Sequence, residues 1–272
     1  MKHARYHSPA ADLAAGALKL LSRYRTRAST LSEIATALQV PKTTCLRVLC
    51  TLQAHELLRY DEGSRRYSLG QYAVVIGARA EEGLDALSRV RPLLGAAAAR
   101  TGLTAAFVQC VSGDRMMYVA KEECAGVTGV SVSVGNRFPL TSVSYGKWVM
   151  AFAGDEERER LLAGGLPQLT SQTTTDRTRY LEQVDALRVG EILESKAEYI
   201  PGVYAASCAV VDARHELAGV LVVLGLLDAL DEDCRHAVCT IMREIATRCT
   251  ADLGAVTDAS SRAAPDSGRK AS

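Results

Sequence analysis

Arg47 lies four residues after Thr43 and four before Thr51, so in a helix all three fall on one face, with Lys42 and Thr44 beside them near its start. These side-chain types suit a nucleic acid. An arginine can bond the O6 and N7 of one guanine, and threonines can reach base edges. Lys42, Arg65 and Arg66 suit phosphates, whose attraction is salt-sensitive and blind to sequence. A second constellation, Ser144-Tyr-Gly-Lys147, has the S-x-x-K spacing in which a lysine assists a nucleophilic serine in some acyl-transfer enzymes. The S-D-N and K-T-G elements that accompany that spacing are missing. Gly146-Lys147 lacks the earlier glycine of a phosphate loop, and there is no G-x-G-x-x-G. The five histidines (His3, His7, His55, His215 and His236) are scattered. None of the eight cysteines forms a C-x-x-C pair, and Cys234-Arg-His236-Ala-Val-Cys239 fits no zinc spacing. They read as reduced thiols that pack as small hydrophobes. Neither a metal nor a cofactor is expected.

The surroundings of Arg47 supply the elements that would present it. Leu13, Ala14, Ala17, Leu18, Leu21 and Tyr24 recur at helical spacing. Thr30-Leu-Ser-Glu33 is a capping box for a short second helix that buries Leu31, Ile34, Ala35 and Leu38. Gln39-Val40 make a turn, and Pro41 sits where a first helical position tolerates a missing N–H. A third helix over 42–55 buries Cys45, Leu46, Val48, Leu49 and Leu52. Helix, short turn, helix, with the second polar and basic at its start, is how helix-turn-helix proteins meet the major groove. Two short strands, 57–60 and 65–69, flank a turn at 61–64 and form a basic wing. The DNA-contacting set is therefore Thr30, Lys42, Thr43, Thr44, Arg47, Thr51, Arg65 and Arg66.

Charge supports this division. Residues 1–70 carry 11 Lys+Arg and 5 Asp+Glu, a balance of +6; the remaining residues balance to −5, which together give the net +1. A basic segment on an acidic body is the electrostatic arrangement of a DNA-binding module joined to something else. The 272 residues fit about two domains, and 48% hydrophobic content with 23% charge excludes a disordered or fibrous chain. The longest uncharged apolar run, 217–227, is well short of the roughly 20 residues a bilayer helix needs, and no secretory h-region is visible. A cytoplasmic protein with no membrane partner is expected.

Residues 71–102 read as largely helical, with Leu84, Leu87, Val90, Leu94 and Ala98 in one stripe and a kink or new turn at Pro92. Strand-like runs follow at 103–111, 116–121, 127–134, 192–194, 203–211 and 217–227, interleaved with amphipathic stretches near 141–153, 155–163 and 177–189. A last helix over 231–253 stops at Gly254, and the Ala-, Ser-, Asp- and Arg-rich remainder reads as disordered. Antiparallel-looking strands with grouped helices make the class α+β.

The run Leu31-Ser-Glu-Ile-Ala-Thr-Ala-Leu-Gln-Val-Pro-Lys-Thr-Thr-Cys-Leu-Arg-Val-Leu-Cys-Thr-Leu, followed by Arg66-Tyr-Ser-Leu-Gly70, resembles the winged helix-turn-helix of the IclR-type transcriptional regulators. Further along, Val134-Gly-Asn-Arg-Phe-Pro-Leu-Thr-Ser-Val-Ser-Tyr-Gly-Lys147 is similar to the family's Gly-x-x-x-Pro-Leu-x-x-x-x-x-Gly-Lys block. Gln172-Thr-Thr-Thr-Asp176 resembles its Thr-rich segment, and Glu198-Tyr-Ile-Pro-Gly-Val203 its Glu-x-x-x-Gly element. The resemblance covers roughly 12–254 and implies a homodimeric or tetrameric repressor or activator with a GAF-like effector domain. The organisation it implies is a DNA-binding domain over 10–70, a linker helix over 71–83, an effector domain over 84–254 and a disordered tail over 255–272.

In carboxylate-binding members of that family, polar side chains hold small organic acids at a few positions, which map here onto Ser195, Ala205, Val222 and Leu224. The serines usual on the late strand are Val and Leu here. A small carboxylate would lose hydration there without compensation, so a larger, mostly apolar or aromatic effector is expected. Phe138, Leu140, Ser142, Ser144 and Ser207 complete the expected effector site. The alternative is a pocket filled by its own side chains. The functional reading is a dimeric repressor on a two-fold symmetric double-stranded operator, modulated by this effector. The rival readings are a Ser144–Lys147 acyl-transfer enzyme and a protein-interaction adaptor built on the winged helix.

Overall fold

In the computed structural model, which describes residues 8–82, 85–124, 129–212 and 214–262, the chain divides into two units after residue 84. The first unit runs α1 (Pro9–Leu21), a 3-10 turn (Tyr24–Thr26), α2 (Leu31–Ala37), α3 (Lys42–Ala54), β1 (Leu58–Asp61), β2 (Arg66–Leu69) and α4 (Gln71–Glu82). Its core takes Ala17, Leu20 and Leu21 from α1, Ile34 and Ala35 from α2, Cys45, Leu49 and Leu52 from α3, and Leu58 and Tyr67 from the hairpin. Cys45, Leu49 and Leu52 have the i, i+4, i+7 spacing of one helix face, which leaves the opposite face of α3 to solvent. Two expected core residues are not there. Tyr24 falls in the 3-10 turn after α1 has ended and is 63% exposed, and Leu46 is 40% exposed because it follows the buried Cys45 around the helix.

The hairpin pairs Leu58 with Leu69 and Asp61 with Arg66. Backbone bonds between Ser29 and Tyr67 (2.8 and 3.0 Å) fasten it to the start of α2. The turn between α2 and α3 places Gln39 at φ +55°, a left-handed conformation that a non-glycine residue adopts at some cost.

In the second unit, α5 (Asp85–Thr101) leads into β3 (Thr104–Ser112), β4 (Arg115–Glu122) and β5 (Arg137–Pro139). Then come α6 (Gly146–Phe152), α7 (Asp155–Leu162), α8 (Arg177–Ala186), β6 (Leu193–Lys196), β7 (Val203–Val211), β8 (Leu217–Leu226) and α9 (Glu232–Arg262). The six strands form one sheet in the order β5-β4-β3-β8-β7-β6, with every pairing antiparallel. Side chains alternate between its faces. Ala105 and Phe107, Tyr204, Ala206, Cys208 and Val210, and Leu221 and Val223 pack against α5 and α9. Ala106 and Val108, Ala205 and Ala209, and Val220, Val222 and Leu224 face the other way, toward α6, α7 and α8. Both faces are covered, which is why 203–211 and 217–226 read as unbroken apolar runs rather than alternating ones.

Two expectations are corrected. No strand forms over 129–134: the pairing with β4 is made instead by Arg137–Pro139, which its terminal proline disguises, and residues 127–128 of the expected run lie outside the described residues. α9 does not stop at Gly254 but continues to Arg262, so residues 255–262 are helical rather than a disordered tail; one interior glycine costs a helix only about 1 kcal/mol, and Ala251, Ala255 and Ala259 favour it. Residues 263–272 of that expected tail lie outside the described residues. Pro92, where a kink or new turn is expected, lies within the span of α5.

Two substitutions test this packing. A Cβ on Gly146, at the start of α6, would sit 1.9 Å from the Leu140 carbonyl oxygen, where only backbone movement makes room. Gly146→Ala should therefore cost roughly 1–3 kcal/mol in a urea unfolding titration; an unchanged midpoint would show that the Leu140 backbone yields freely. Thr30→Ala, which removes one half of the α2 capping box, should lower the thermal stability of the first unit by roughly 0.5–2 kcal/mol.

Candidate nucleic-acid interface and ligand cavity

Lys42, Thr43, Thr44, Arg47 and Thr51 all lie exposed on α3, opposite its buried Cys45, Leu49 and Leu52. Thr51 is partly committed, because its hydroxyl donates to the Arg47 carbonyl at 3.0 Å. Arg65 is exposed at the hairpin turn, at φ +54°, where Asp61 accepts bonds from the Ser64 N–H and hydroxyl (both 2.6 Å). The other two members of the expected set are placed differently. Thr30 is the N-cap of α2: its Oγ1 accepts from the Glu33 N–H at 3.3 Å, and Glu33 accepts from the Thr30 N–H at 2.7 Å. Arg66 donates to the same Glu33 carboxylate at 3.1 Å and to the Ala28 carbonyl at 2.7 Å. The Thr30 backbone bond and the Arg66 charge hold Glu33 below the usual carboxylate range. Thr30 and Arg66 thus fasten the wing to the start of α2. Sequence reasoning passed over Arg23, Arg25 and Arg27 around the 3-10 turn, of which Arg27 lies 4.4 Å over the Tyr24 ring.

The second unit encloses a cavity of about 230 Å³ on the α6–α8 face of the sheet. Strand register explains its floor. Ser195 stands opposite Ala205 and Ala205 opposite Leu224, so these three form one row across β6, β7 and β8, and all line the cavity. The next row, Leu193, Ser207 and Val222, is plugged: the Trp148 indole N–H from α6 donates to Ser207 Oγ at 3.2 Å. Of the nine expected effector residues, Phe138, Ser144, Ser195, Ala205 and Leu224 line the cavity. Leu140, Ser142, Ser207 and Val222 are buried elsewhere in the core.

Sequence reasoning missed several lining residues, among them Tyr118, Tyr145, Asn136, Tyr199 and Ile200. Asn136 and Tyr145 lie inside the Val134–Lys147 block, and Tyr199 and Ile200 follow Glu198, so the motifs already held a signal for four of them; nothing marked Tyr118. The Tyr118 and Tyr145 hydroxyls are hydrogen-bonded to each other. Burial pushes the Tyr118 phenol up to about 12 and also raises Tyr145 well above the ordinary phenol value, so both stay neutral. Among the described residues no lysine, arginine or histidine lines the cavity.

The loop carrying Tyr199 and Ile200 is anchored beside the cavity. Lys147 is buried, with its ammonium 3.1 Å from Glu198 and 5.6 Å from the Tyr180 ring centre. Thr170 donates to the Ala197 carbonyl and Thr173 to the Glu198 carbonyl, each at 2.7 Å. Lys147 is therefore turned to Glu198, and among the described residues Ser144 has no base hydrogen-bonded to it. The serine–lysine arrangement is not assembled.

Comparisons with known proteins agree with both halves of this picture. The model of the IclR helix-turn-helix domain matches residues 10–62, and that of the bacterial transcriptional regulator IclR C-terminal domain matches residues 79–251. The solved structure of an IclR transcriptional regulator from Alicyclobacillus acidocaldarius is 34% identical, with a TM-score of 0.85 over 92% of this chain and 100% of that one. The transcriptional repressor AllR of Escherichia coli is 24% identical over 83% of each chain. An IclR homologue from Microbacterium hydrocarbonoxydans, solved with 4-hydroxybenzoate, shares the fold at 18% identity, with a TM-score of 0.73 over 89% of this chain and 98% of that one. The chain belongs to the IclR family of bacterial transcriptional regulators and is a DNA-binding regulator of that family.

Proposed function

We propose that the protein is a homodimeric repressor that reads a two-fold symmetric operator through α3 and is released or retained by a small, mostly apolar effector held in the 230 Å³ cavity. The observation that carries the DNA reading is the exposed polar face of α3. Thr43, Thr44 and Arg47 face base edges there, while Lys42 and Arg65 attract phosphates. Arg66, tied to Glu33 and Ala28, orients the wing rather than reaching freely for phosphate. Repression is the direction taken by AllR, a relative matched over most of both chains.

The effector reading rests on the cavity's lining. Phe138, Tyr118, Val203, Ala205 and Leu224 offer apolar surface, with no cation among the described lining residues to balance a carboxylate. Its volume is below the ~300 Å³ at which drug-sized sites begin, so a small molecule fits. The neighbour solved with 4-hydroxybenzoate supports the aromatic body of such a ligand in this fold; the carboxylate of that molecule is the part that the lining of this cavity does not match. An effector changes operator affinity only by binding two domain arrangements unequally.

Dimerisation is assigned to α4. Tyr72, Val75 and Ile76 lie on one side of that helix at i, i+3 and i+4, each about half exposed, an apolar stripe that a second copy would cover. Two readers held by such a seam would contact half-sites related by its axis.

Footprinting on the DNA upstream of the protein's own gene should show protection that survives competitor DNA. Arg47→Ala should cost ~1–3 kcal/mol on that site and relax base preference at one position per half-site; equal loss on random DNA would instead make Arg47 a phosphate contact. Ile76→Asp should shift sedimentation toward monomer and weaken the footprint at least tenfold with helix content unchanged. A variant that stays dimeric would place the seam elsewhere.

A further inference from the structure

Tyr118 lies on β4 and Tyr145 immediately precedes α6, yet their hydroxyls meet within the cavity lining. A phenol carries one donor hydrogen and can accept bonds as well. When two phenols bond to each other, one hydrogen is used and one is left. Among the described residues neither hydroxyl has another partner, and both residues are more than nine-tenths buried. A buried O–H left unmade is costly, so the remaining hydrogen needs an acceptor, and the cavity that both residues line is where one can be brought. The hydroxyls of Ser144 and Ser195, residues also nine-tenths buried and lining the cavity, likewise have no hydrogen-bond partner among the described residues.

The geometry points to the Tyr118–Tyr145 hydroxyl pair as the specificity-determining element of the cavity, selecting a neutral ligand with an apolar or aromatic body and one oxygen acceptor, a ketone or aldehyde oxygen being the simplest. This inference rests on the reading of the cavity as the effector site and specifies the polar end of its ligand. The pair donates one hydrogen bond in a setting with no cation among the described lining residues. A carbonyl oxygen is satisfied by that single donor, with Ser144 or Ser195 supplying a second. A carboxylate would bring a full negative charge against neutral hydroxyls alone, with its lost hydration uncompensated. A hydrocarbon of the same shape would leave the O–H unmet. Tyr118 remains protonated well beyond neutral pH, so the donor is present across the working range.

Three probes of nearly equal size separate these cases: acetophenone, its hydrocarbon isostere α-methylstyrene, and benzoate. Their affinities for the full-length protein would be measured by titration calorimetry, beside the double variant Tyr118→Phe/Tyr145→Phe, with thermal unfolding to confirm that the variant is folded. Acetophenone should bind the native protein at least tenfold more tightly than either other probe. The variant should lose that preference while binding α-methylstyrene at least as well as the native protein does. Equal affinity of the native protein for acetophenone and α-methylstyrene, or preference retained in the folded variant, would overturn the role of the tyrosine pair and leave the cavity as an apolar effector site. Tighter binding of benzoate would overturn the selection for a neutral ligand. Failure of all three probes to bind would overturn the effector reading of the cavity, and the tyrosine role with it. Should the variant not fold, Ser144→Ala/Ser195→Ala in the presence of the intact pair must keep a preference for acetophenone over α-methylstyrene, or the assignment to the tyrosines fails.

Discussion

Two-sided burial of a single antiparallel sheet organises the second unit. Each strand residue must go to one of two cores, and strand parity decides which. Phe107, Tyr204, Cys208 and Leu221 meet α5 and α9, while their immediate neighbours meet α6, α7 and α8. A one-residue slip of β7 against β8 would exchange those sets and put the floor of the cavity under α9. The register from Val203–Leu226 to Ala209–Val220 is continuous, broken only after Val210. On the α6–α8 face, cover is incomplete. Trp148 caps the row that contains Ser207, whereas the row that contains Ser195 is left beneath tyrosines and a loop. The cavity therefore arises where one aromatic plug ends.

Electrostatics plays different parts in the two units. In the first, one carboxylate closes two local structures: Glu33 accepts from the Thr30 N–H at the start of α2 and from Arg66 on the hairpin. The wing is thereby set relative to the helix pair by solvent-exposed bonds, each of which contributes little alone, while Tyr67 and Leu58 supply the apolar anchorage. In the second unit, the one buried ion pair, among the described residues, is Lys147 with Glu198. Burial of an ammonium demands a partner, and the partner lies in the loop that carries Tyr199 and Ile200. That pair and the bonds from Thr170 and Thr173 fix a wall of the cavity without placing a charge in it.

Local chemistry is what the chain announces by itself. The capping box at Thr30–Glu33, the i, i+4, i+7 spacing of Cys45, Leu49 and Leu52, and the basic balance of the first seventy residues all act within a few residues or as simple sums. They therefore survive the absence of coordinates. The same holds for β7, whose apolar run begins and ends where the strand does. Over 129–134 the expected strand does not form because apolar alternation alone does not distinguish a strand from a segment that lines a cavity, and pairing with β4 is taken up by Arg137–Pro139.

Tertiary structure decided the rest, because it concerns groups far apart in the chain. That Thr30 bonds Glu33, and that Arg66 is held by Glu33 and the Ala28 carbonyl, is visible only once the chain is folded. Ser195 and Ser207 are the same residue type and share a sheet face, yet one lines the cavity and the other bonds an indole. Tyr118 carries no motif; it matters because the turn before α6 brings Tyr145 to it across 27 residues. Sequence thus determined most of the elements, α1 to α3 and β7 among them, and which of their faces are apolar, since those follow from short-range sterics and periodicity. Only the packed structure determined which polar groups are spent on one another and which remain to meet DNA or a ligand, since hydrogen-bond satisfaction is a property of the whole fold.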